Sequence, residues 1–302
     1  MSKINAFSIY SHLGMLGLLN WIPDSEYLRI QFRLKMHKKL DLDMPVTMNE
    51  KLQWLKLHDH NPIYSELVDK YLVRTHIEKL LGSEYIIPLL GEWSNPAAIQ
   101  FDRLPDQFVL KCNHDSGGVI ICHDKRNLDI DKTISILQKR LKRKYCWGNR
   151  EWPYMNVKPL VIAEEFIKDS RDKDELTDYK FYCFAGKPAC VLACVDRTAK
   201  SANFIYFDRN WNRLNYNYQT EREKNRVVPK PGNLDRMFDV AETIAMYVNA
   251  PFVRVDLFSS NSKVYFGEIT FYPHSGMDTT IKPGIDIMFG NMIKIPIKTN
   301  RR

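Results

Sequence analysis

The segments Phe252-Val-Arg-Val-Asp-Leu-Phe258 and Val264-Tyr-Phe-Gly-Glu-Ile-Thr270 read as two consecutive β-strands joined by a short polar loop. Side chains alternate between the two faces of a strand. Polar side chains therefore share a face on each strand: Arg254 with Asp256, and Glu268 with Thr270. Charged groups inside such apolar strands are costly unless they pair or bind a cation. The hairpin thus predicts a binding site or a buried ion pair.

Both interpretations of the hairpin fit its residue types. Carboxylate and hydroxyl oxygens are ligands that Mg²⁺ prefers, with bound phosphates completing the shell. Arg254 and Glu268 are equally suited to a cross-strand ion pair. For all four side chains to face one cavity, we predict that Arg254 lies opposite Glu268 and Asp256 opposite Phe266. This register needs a loop of about three to five residues around Ser260–Ser262.

A second segment, Gln107–Cys122, combines a strand carrying Lys111 with the turn Ser116-Gly117-Gly118 and another apolar strand. Glycines let the backbone close over a ligand, and successive N–H groups can hold phosphate oxygens. A lysine on the adjoining strand supplies positive charge for the phosphate. An ordinary hairpin with an edge lysine fits the same residues.

The third segment is Pro159-Leu-Val-Ile-Ala-Glu-Glu-Phe-Ile167, an apolar run that leads to two carboxylates. A strand that enters a hinge offers the apolar walls and the backbone polar groups that an adenine ring needs. The alternative is a buried strand whose outer end carries solvated Glu164 and Glu165.

Short β-branched and aromatic runs from Tyr85 onward predict the strands of this protein. Two helices interrupt them, one from about Asp131 to Tyr145 and one from about Leu234 to Val248. Strands separated mostly by turns predict an α+β fold with antiparallel sheets. The predicted strands are Tyr85–Leu90, Phe108–Asn113, Val119–Cys122, Leu160–Ile167, Tyr179–Phe184, Ala189–Val195, Phe204–Phe207, Phe252–Phe258 and Val264–Phe271.

The first part of the chain reads as helical and basic. Thr47 and Glu50 form a capping-box pattern before a run of apolar residues. A further helix is predicted from Ser65 to a stop at Gly82. The chain is therefore divided into an N-terminal helical region (1–68), a central α+β lobe (69–167) and a C-terminal lobe with the hairpin (168–302).

Composition narrows the classes of protein that fit this chain. The 302 residues are 44% hydrophobic and 26% charged, which excludes a disordered, collagen-like or coiled-coil protein. The longest apolar run near the start, Leu13–Ile22, is too short to cross a bilayer. Six scattered cysteines predict buried thiols in a reducing compartment. A soluble, cytoplasmic protein is expected.

The formal net charge of +8 points to an anionic partner. Lys125–Arg150 carries nine basic and two acidic residues, which accounts for most of that charge. Such a run is usually a solvated helix face, but it also fits contact with an acidic polymer, a lipid-linked glycan or the inner face of a membrane.

Taken in order, these segments resemble the ATP-grasp superfamily, and within it the TupA-like branch of teichuronopeptide biosynthesis. The resemblance spans roughly residues 40 to 276. The segments that carry it are Thr47–Leu57, Val68–Arg74, Tyr85–Gly91, Leu104–Gly118, Ala163–Phe166, Asp178–Phe181 and Phe252–Gly276.

The resemblance implies an ATP-grasp fold, in which two α+β lobes clasp ATP, and it implies roles for particular residues. Arg254 would stabilise the transferring phosphoryl group, and Lys180 would be a second phosphate or adenine contact near the reacting atoms. Asp256 and Glu268 would hold Mg²⁺, with Thr270 at a position where the wider superfamily commonly has Asn. The residues implied to bind ATP are Lys70, Lys111, Ser116, Gly117, Gly118, Glu164, Glu165, Phe166, Ile167 and Lys180.

The activity implied by the resemblance is that of a carboxylate–amine ligase that uses ATP and Mg²⁺. Phosphorylation of a carboxylate gives an acyl phosphate, which an amine then displaces to form an amide. The TupA-like branch is associated with cell-surface polysaccharides of the capsular or O-antigen type. The implied substrates are therefore the carboxylate of an acidic saccharide, such as a uronic acid, and an amino acid or other amine.

Two other classes of function compete with a ligase. A glycosyltransferase of the same pathways would need a D-x-D metal motif at the end of a strand. The three D-x-D triplets, Asp41–Asp43, Asp129–Asp131 and Asp172–Asp174, instead lie near helix starts or in charged loops. A nucleic-acid-binding module fits the basic run, but no RNA- or DNA-binding pattern accompanies it, so no nucleic-acid partner is expected.

Overall fold

The computed structural model describes residues 5–168, 177–195 and 202–296. Their helices are α1 (Ala6–Met15), α2 (Asp24–Met36), α3 (Met48–His58), α4 (Ile63–Val68), α5 (Val73–Leu81), α6 (Ile130–Leu141), α7 (Tyr145–Asn149), α8 (Tyr218–Arg222), α9 (Leu234–Val248) and α10 (Pro283–Met292). Their strands are β1 (Leu89–Trp93), β2 (Phe108–Cys112), β3 (Ile120–Cys122), β4 (Val161–Glu165), β5 (Asp178–Phe184), β6 (Lys187–Val195), β7 (Asn203–Phe207), β8 (Arg213–Leu214), β9 (Phe252–Ser260) and β10 (Lys263–Thr270).

The described strands form two sheets. One has four strands in the order β1-β4-β2-β3, and the other has six in the order β10-β9-β5-β6-β7-β8. Every strand pair named here is antiparallel. The predicted α+β class with antiparallel sheets is confirmed.

The main core lies against the six-stranded sheet. Helix α9 buries a stripe of apolar side chains three or four residues apart, among them Phe238, Ala241 and Ile244. Phe181 of β5 meets Phe238 edge to face, with ring centroids 5.0 Å apart. Side chains of α3 and α4, including Leu52 and Leu67, belong to the same core. Helices α3 and α4 are therefore packed against the sheet that carries the hairpin.

The predicted continuous helix from Ser65 to Gly82 is wrong, because the chain breaks between α4 and α5. Asp69 leaves the helix with an extended ψ of 110°. Its carboxylate accepts hydrogen bonds from the backbone N–H of Tyr71 at 2.8 Å and from the Asn113 side chain at 2.9 Å. An aspartate that accepts from the N–H groups two and three residues ahead closes a tight turn, which here separates the two helices. The break sets Lys70 beside the glycine turn.

Two further predicted elements have different limits in the structure. The predicted strand Tyr85–Leu90 begins only at Leu89, since Pro88 has no N–H to give to a ladder. The predicted helix 131–145 ends at Leu141, and a separate short helix starts at Tyr145. The capping box of Thr47 and Glu50 is confirmed.

All six cysteines lie in the described part of the chain, where each is buried and without a disulfide. Within the described ranges, no helix has both the length and the apolar character needed to span a bilayer. The domain limits at 68/69 and 167/168 remain predictions.

Candidate functional site

Arg254 stands at the centre of a charged cluster on β9 and β10. Its Nε lies 2.6 Å from Asp256 Oδ1, and its Nη2 lies 2.7 Å from Asp256 Oδ2. The same Nη2 lies 3.4 Å from Glu268 Oε1 and 3.1 Å from Thr270 Oγ1. The four hairpin residues singled out from the sequence therefore do face one space.

The predicted register of this hairpin is nevertheless wrong. Asp256 lies opposite Glu268 and Arg254 opposite Thr270, whereas near the turn Leu257 lies opposite Phe266. The turn contains only Asn261 and Ser262 between the paired strand ends, both with positive φ, as in the tight turns favoured by hairpins.

A β-bulge at Gly267 reconciles this tight turn with the shared face. If the pairing of Leu257 with Phe266 continued regularly, Arg254 would lie opposite Ile269, and the polar sets would point to opposite faces. The bulge inserts one residue and restores the shared face. A Cβ at Gly267 would lie 2.9 Å from the Phe258 ring and 3.0 Å from the backbone oxygen of Asp256, so the close approach favours glycine.

Lys180 joins the cluster from the adjacent strand β5, opposite Asp256. Its Nζ lies 2.6 Å from Asp256 Oδ2 and also forms an ion pair with Asp178. Burial lowers the pKa of Lys180, but the carboxylates of Asp178 and Asp256 outweigh it and raise the pKa. The lysine is therefore a fixed positive charge at the centre of the site.

Lys70 connects this cluster to the glycine turn. Its Nζ donates to the backbone oxygen of Asp115 at 2.6 Å and lies 3.5 Å from Glu268 Oε2. Its backbone N–H donates to the backbone oxygen of Asn113 at 3.2 Å. The site thus lies where the two sheets approach each other.

The glycine turn follows β2, and Arg140 packs against it. Gly117 and Gly118 have φ values of +74° and +69°, which side chains other than glycine rarely adopt. Arg140 Nη2 donates to the backbone oxygen of Ser116 at 2.9 Å and lies 2.7 Å from Asp115 Oδ2. Arg140 is therefore half-buried, although it belongs to the basic run that was expected to form a solvated helix face.

Lys111 on β2 faces Glu164 on β4. Its Nζ lies 2.6 Å from Glu164 Oε2, and Arg74 Nη1 lies 3.0 Å from Glu164 Oε1. The Glu164 side chain is only 7% exposed, so the alternative of a solvated Glu164 is wrong. Glu165 is exposed, and Phe166 is half-buried with its ring 5.2 Å from that of His123. Ile167 follows as a half-buried residue.

The electrostatic environment keeps Glu268 ionised. Burial raises its pKa, but Lys70, Lys180, Arg254 and Lys111 outweigh it and lower the pKa to about 2. Its side chain is 32% exposed, and its closest cations lie 3.4 and 3.5 Å away. Glu268 is thus the loosely held carboxylate of the cluster.

The oxygens of Asp256, Glu268 and Thr270 form the candidate donor set for Mg²⁺. Both oxygens of Asp256 already receive close contacts from Arg254 and Lys180, whereas those of Glu268 do not. Among the residues described, no three His, Cys, Asp or Glu side chains converge as a complete metal site. Glu268 and Thr270 therefore offer oxygens to a cation that takes further ligands from a bound phosphate, as Mg²⁺ commonly does, whereas Asp256 would have to release Arg254 or Lys180 to join them.

Three contributors to the site were missed from the sequence. Asp178 holds Lys180, Arg74 holds Glu164, and Arg140 holds the glycine turn. Asp178 and Arg74 lie inside segments that carried the family resemblance, and alternation on β5 puts Asp178 and Lys180 on one face. Nothing local to Arg140 indicates its partner.

The D-x-D triplets in the described ranges have local roles. Asp41 accepts from the backbone N–H groups of Asp43 and Met44, both at 2.9 Å. Asp129 caps the start of α6 through the N–H of Lys132 at 3.0 Å. The triplet Asp172–Asp174 lies outside the described residues.

No curated protein sequence matches the chain. Similar solved structures include D-alanine–D-alanine ligase from Bacillus anthracis complexed with ATP, at 17% identity and a TM-score of 0.43, covering 76% of this chain and 63% of that one. A second structure of that ligase has 17% identity and a TM-score of 0.46, covering 96% and 93% of the two chains.

The L-amino acid ligase from Bacillus licheniformis has 13% identity and a TM-score of 0.47, covering 82% of this chain and 55% of that one. This chain therefore spans less than two thirds of two of these three relatives. The model of the TupA-like ATP-grasp family matches residues 50–294, most of the chain, and confirms the predicted resemblance. The chain belongs to the TupA-like ATP-grasp family.

Proposed function

We propose that this protein is an ATP- and Mg²⁺-dependent carboxylate–amine ligase. The observation that carries the proposal is the meeting of Lys70, Lys180, Arg254 and Glu268 where the two sheets approach each other. Membership of the ATP-grasp family supports the same enzyme class. A cluster of fixed cations beside a loosely held carboxylate is suited to a polyphosphate and its metal.

The phosphates of ATP are proposed to lie between Lys111, Lys70 and the glycine turn. Two consecutive glycines with positive φ place no side chains of their own over the turn, so its backbone N–H groups are candidates for contact with phosphate oxygens. Lys111 is proposed to exchange its contact with Glu164 for a phosphate. Arg74 would then remain as the partner of Glu164, which prevents an unpaired buried carboxylate.

The adenine is proposed to lie at the end of β4, where Glu164, Glu165, Phe166 and Ile167 mark the strand's exit. Phe166 supplies an apolar ring at this point, and the adjacent backbone offers polar groups to the base edge.

Asp256 and Glu268 are proposed to hold Mg²⁺, with Thr270 as a further oxygen donor. When bound, the ion would neutralise phosphate charge and orient the transferred group. Arg254 and Lys180 contact Asp256 and lie beside the same space, so both can stabilise negative charge on the phosphoryl group.

The proposed reaction has two steps. A substrate carboxylate oxygen attacks the γ-phosphorus of ATP, the bond to the ADP oxygen breaks, and an acyl phosphate forms. The amine nitrogen then attacks the acyl carbon, inorganic phosphate leaves, and the nitrogen loses a proton. Both steps depend on alignment and on charge neutralisation.

The carboxylate is proposed to belong to a uronic acid of a cell-surface polysaccharide or its precursor, and the amine to an amino acid. This assignment rests on what the resemblance to the TupA-like branch implies about its substrates. The basic segment between α6 and α7, with exposed Lys142 and Lys144, supports an anionic acceptor or lipid-linked glycan.

A nucleotide screen tests the proposed function. Thermal unfolding should shift upward with ATP and Mg²⁺ together, and less with either alone. ADP release should then require a uronic acid and should increase with an amino acid. Glu268→Gln serves as the matched control that removes turnover. Stabilisation by UDP-sugars in place of ATP would contradict the proposal and favour a glycosyltransferase.

A further inference from the structure

An exposed apolar turn joins α1 to α2. Trp21 is 80% exposed, Leu18 is 59% exposed and Leu16 is 56% exposed. Ile9 on α1 adds a further exposed apolar side chain. From Asn5 to Ile22 the sequence contains no Asp, Glu, Lys or Arg. Large apolar side chains grouped in one charge-free segment mark an interaction surface.

This turn is a built part of the fold. The N–H of Gly17 donates to the backbone oxygen of Gly14 at 2.8 Å, and that of Ile22 donates to Leu19 at 3.2 Å. Arg150 Nη2 donates to the backbone oxygen of Leu19 at 2.9 Å. The guanidinium of Arg150 also packs over the ring of Tyr27, 4.0 Å from its centroid. These contacts fix the backbone of the turn, while the side chains of Leu16, Leu18 and Trp21 remain exposed.

The turn is joined through α7 to the most basic segment of the chain. Helix α1 packs directly on α7, where a Cβ at Gly148 would meet the Met15 side chain at 2.7 Å. Exposed Lys142, Arg143 and Lys144 immediately precede α7. The acidic residues that follow the turn are paired: Asp24 with Arg150 at 2.9 Å and Glu26 with Arg29 at 3.6 Å.

We propose that the Leu16–Ile22 turn docks on an anionic lipid surface, with Lys139, Lys142 and Lys144 contacting the headgroups. Tryptophan and leucine side chains insert at the boundary between headgroups and acyl chains, and nearby lysines are attracted to anionic lipid. The positive charge near the turn favours an anionic lipid surface over a second copy of the chain as the partner. A copy would bring a second cationic segment near the first, whereas anionic lipid complements it. The inference needs no ligase activity, but it shares Lys142 and Lys144 with the proposed acceptor contact.

Vesicle co-sedimentation tests the proposal with the full chain. The protein should pellet with vesicles of phosphatidylcholine containing phosphatidylglycerol and remain mostly in solution with pure phosphatidylcholine. Added salt should release it, because the lysine contribution is screened. Lys139→Gln/Lys142→Gln/Lys144→Gln should weaken binding severalfold. The matched control is Lys187→Gln/Lys224→Gln/Lys230→Gln, which changes three lysines that are also exposed.

The apolar contribution is tested by Leu18→Ser/Trp21→Ser. We expect severalfold weaker vesicle binding with unchanged thermal stability, since both side chains are exposed. Val227→Ser is the control, because Val227 is 86% exposed elsewhere on the chain. Binding equal to that of the wild type in Leu18→Ser/Trp21→Ser would overturn the proposal. A wild-type dimer that this double variant dissociates, without vesicle binding, would instead assign the turn to contact between two copies.

Discussion

Lys70 Nζ lies 3.5 Å from Glu268 Oε2 and 2.6 Å from the backbone oxygen of Asp115. One ammonium group therefore contacts both the glycine turn of the four-stranded sheet and the charged hairpin of the six-stranded sheet. The break between α4 and α5 at Asp69 is what allows this position. A change of charge at Glu268 should therefore alter the position of Lys70 and, through it, the glycine turn.

Glu268→Gln and Asp256→Asn should differ in their effects on folding. Glu268 is loosely held, so its amide variant should still fold, at a smaller cost in stability than Asp256→Asn, but should lose Mg²⁺-dependent ATP turnover by about a hundredfold or more. Asp256 partners two buried cations, Arg254 and Lys180, and removing one partner of such a cluster costs about 3–5 kcal/mol. Urea unfolding and ADP release on both variants check this. Unchanged turnover in Glu268→Gln would leave the hairpin as a structural ion pair.

The pH dependence of stability should carry a contribution from Glu268. Its pKa is lowered from the usual 4.5 to about 2 in the folded protein. A lowered carboxyl pKa contributes stability above the unfolded value, and that contribution is lost as pH falls through the folded value. The wild type should thus exceed Glu268→Gln in unfolding free energy by an amount that shrinks as the pH falls from 4.5 to 2. A difference that stays constant across this window would disprove the coupling.

Lys111→Ala should weaken ATP binding without unfolding the protein. Glu164 would keep Arg74 at 3.0 Å, so no buried carboxylate would be left unpaired. Hydrogen bonds from charged donors contribute about 1.5–3 kcal/mol, which corresponds to about tenfold to a hundredfold in affinity. Calorimetric titration with ATP measures the change, and exposed Lys132→Ala is the control. An affinity equal to that of the wild type would show that Lys111 does not contact phosphate.

Gly118→Ala should impair ATP binding more than Gly117→Ala. Both glycines have positive φ, so each substitution costs roughly 1–2 kcal/mol of backbone strain. A Cβ at Gly118 would also meet the Arg140 guanidinium at 1.8 Å, whereas at Gly117 the nearest Arg140 atom is 3.9 Å away. Displacing Arg140 would break its contacts with the backbone oxygen of Ser116 and with the Asp115 carboxylate, which hold the turn in place. Titration of both variants against Gly232→Ala, which meets nothing within 4 Å, separates the two effects. Equal affinities for the two turn variants would rule out a role for the Arg140 contact.

Local sequence determined much of this protein. Alternation on β9 and β10 identified which side chains share a face, and the capping box marked the start of α3. Paired glycines after an apolar strand marked the turn at Gly117 and Gly118. These features depend on residues close together in the chain, so short-range geometry suffices to predict them. Their order along the chain was enough to indicate the family.

Only the tertiary structure decided which strand residues lie opposite each other and which charged side chains form pairs. The register of the hairpin depends on a bulge at Gly267, where the backbone of Asp256 approaches so closely that glycine is favoured. Arg140 reaches Asp115, and Lys70 reaches Glu268, across long stretches of chain. Such contacts form only when distant elements pack together, and no local propensity specifies which buried charge will find which partner.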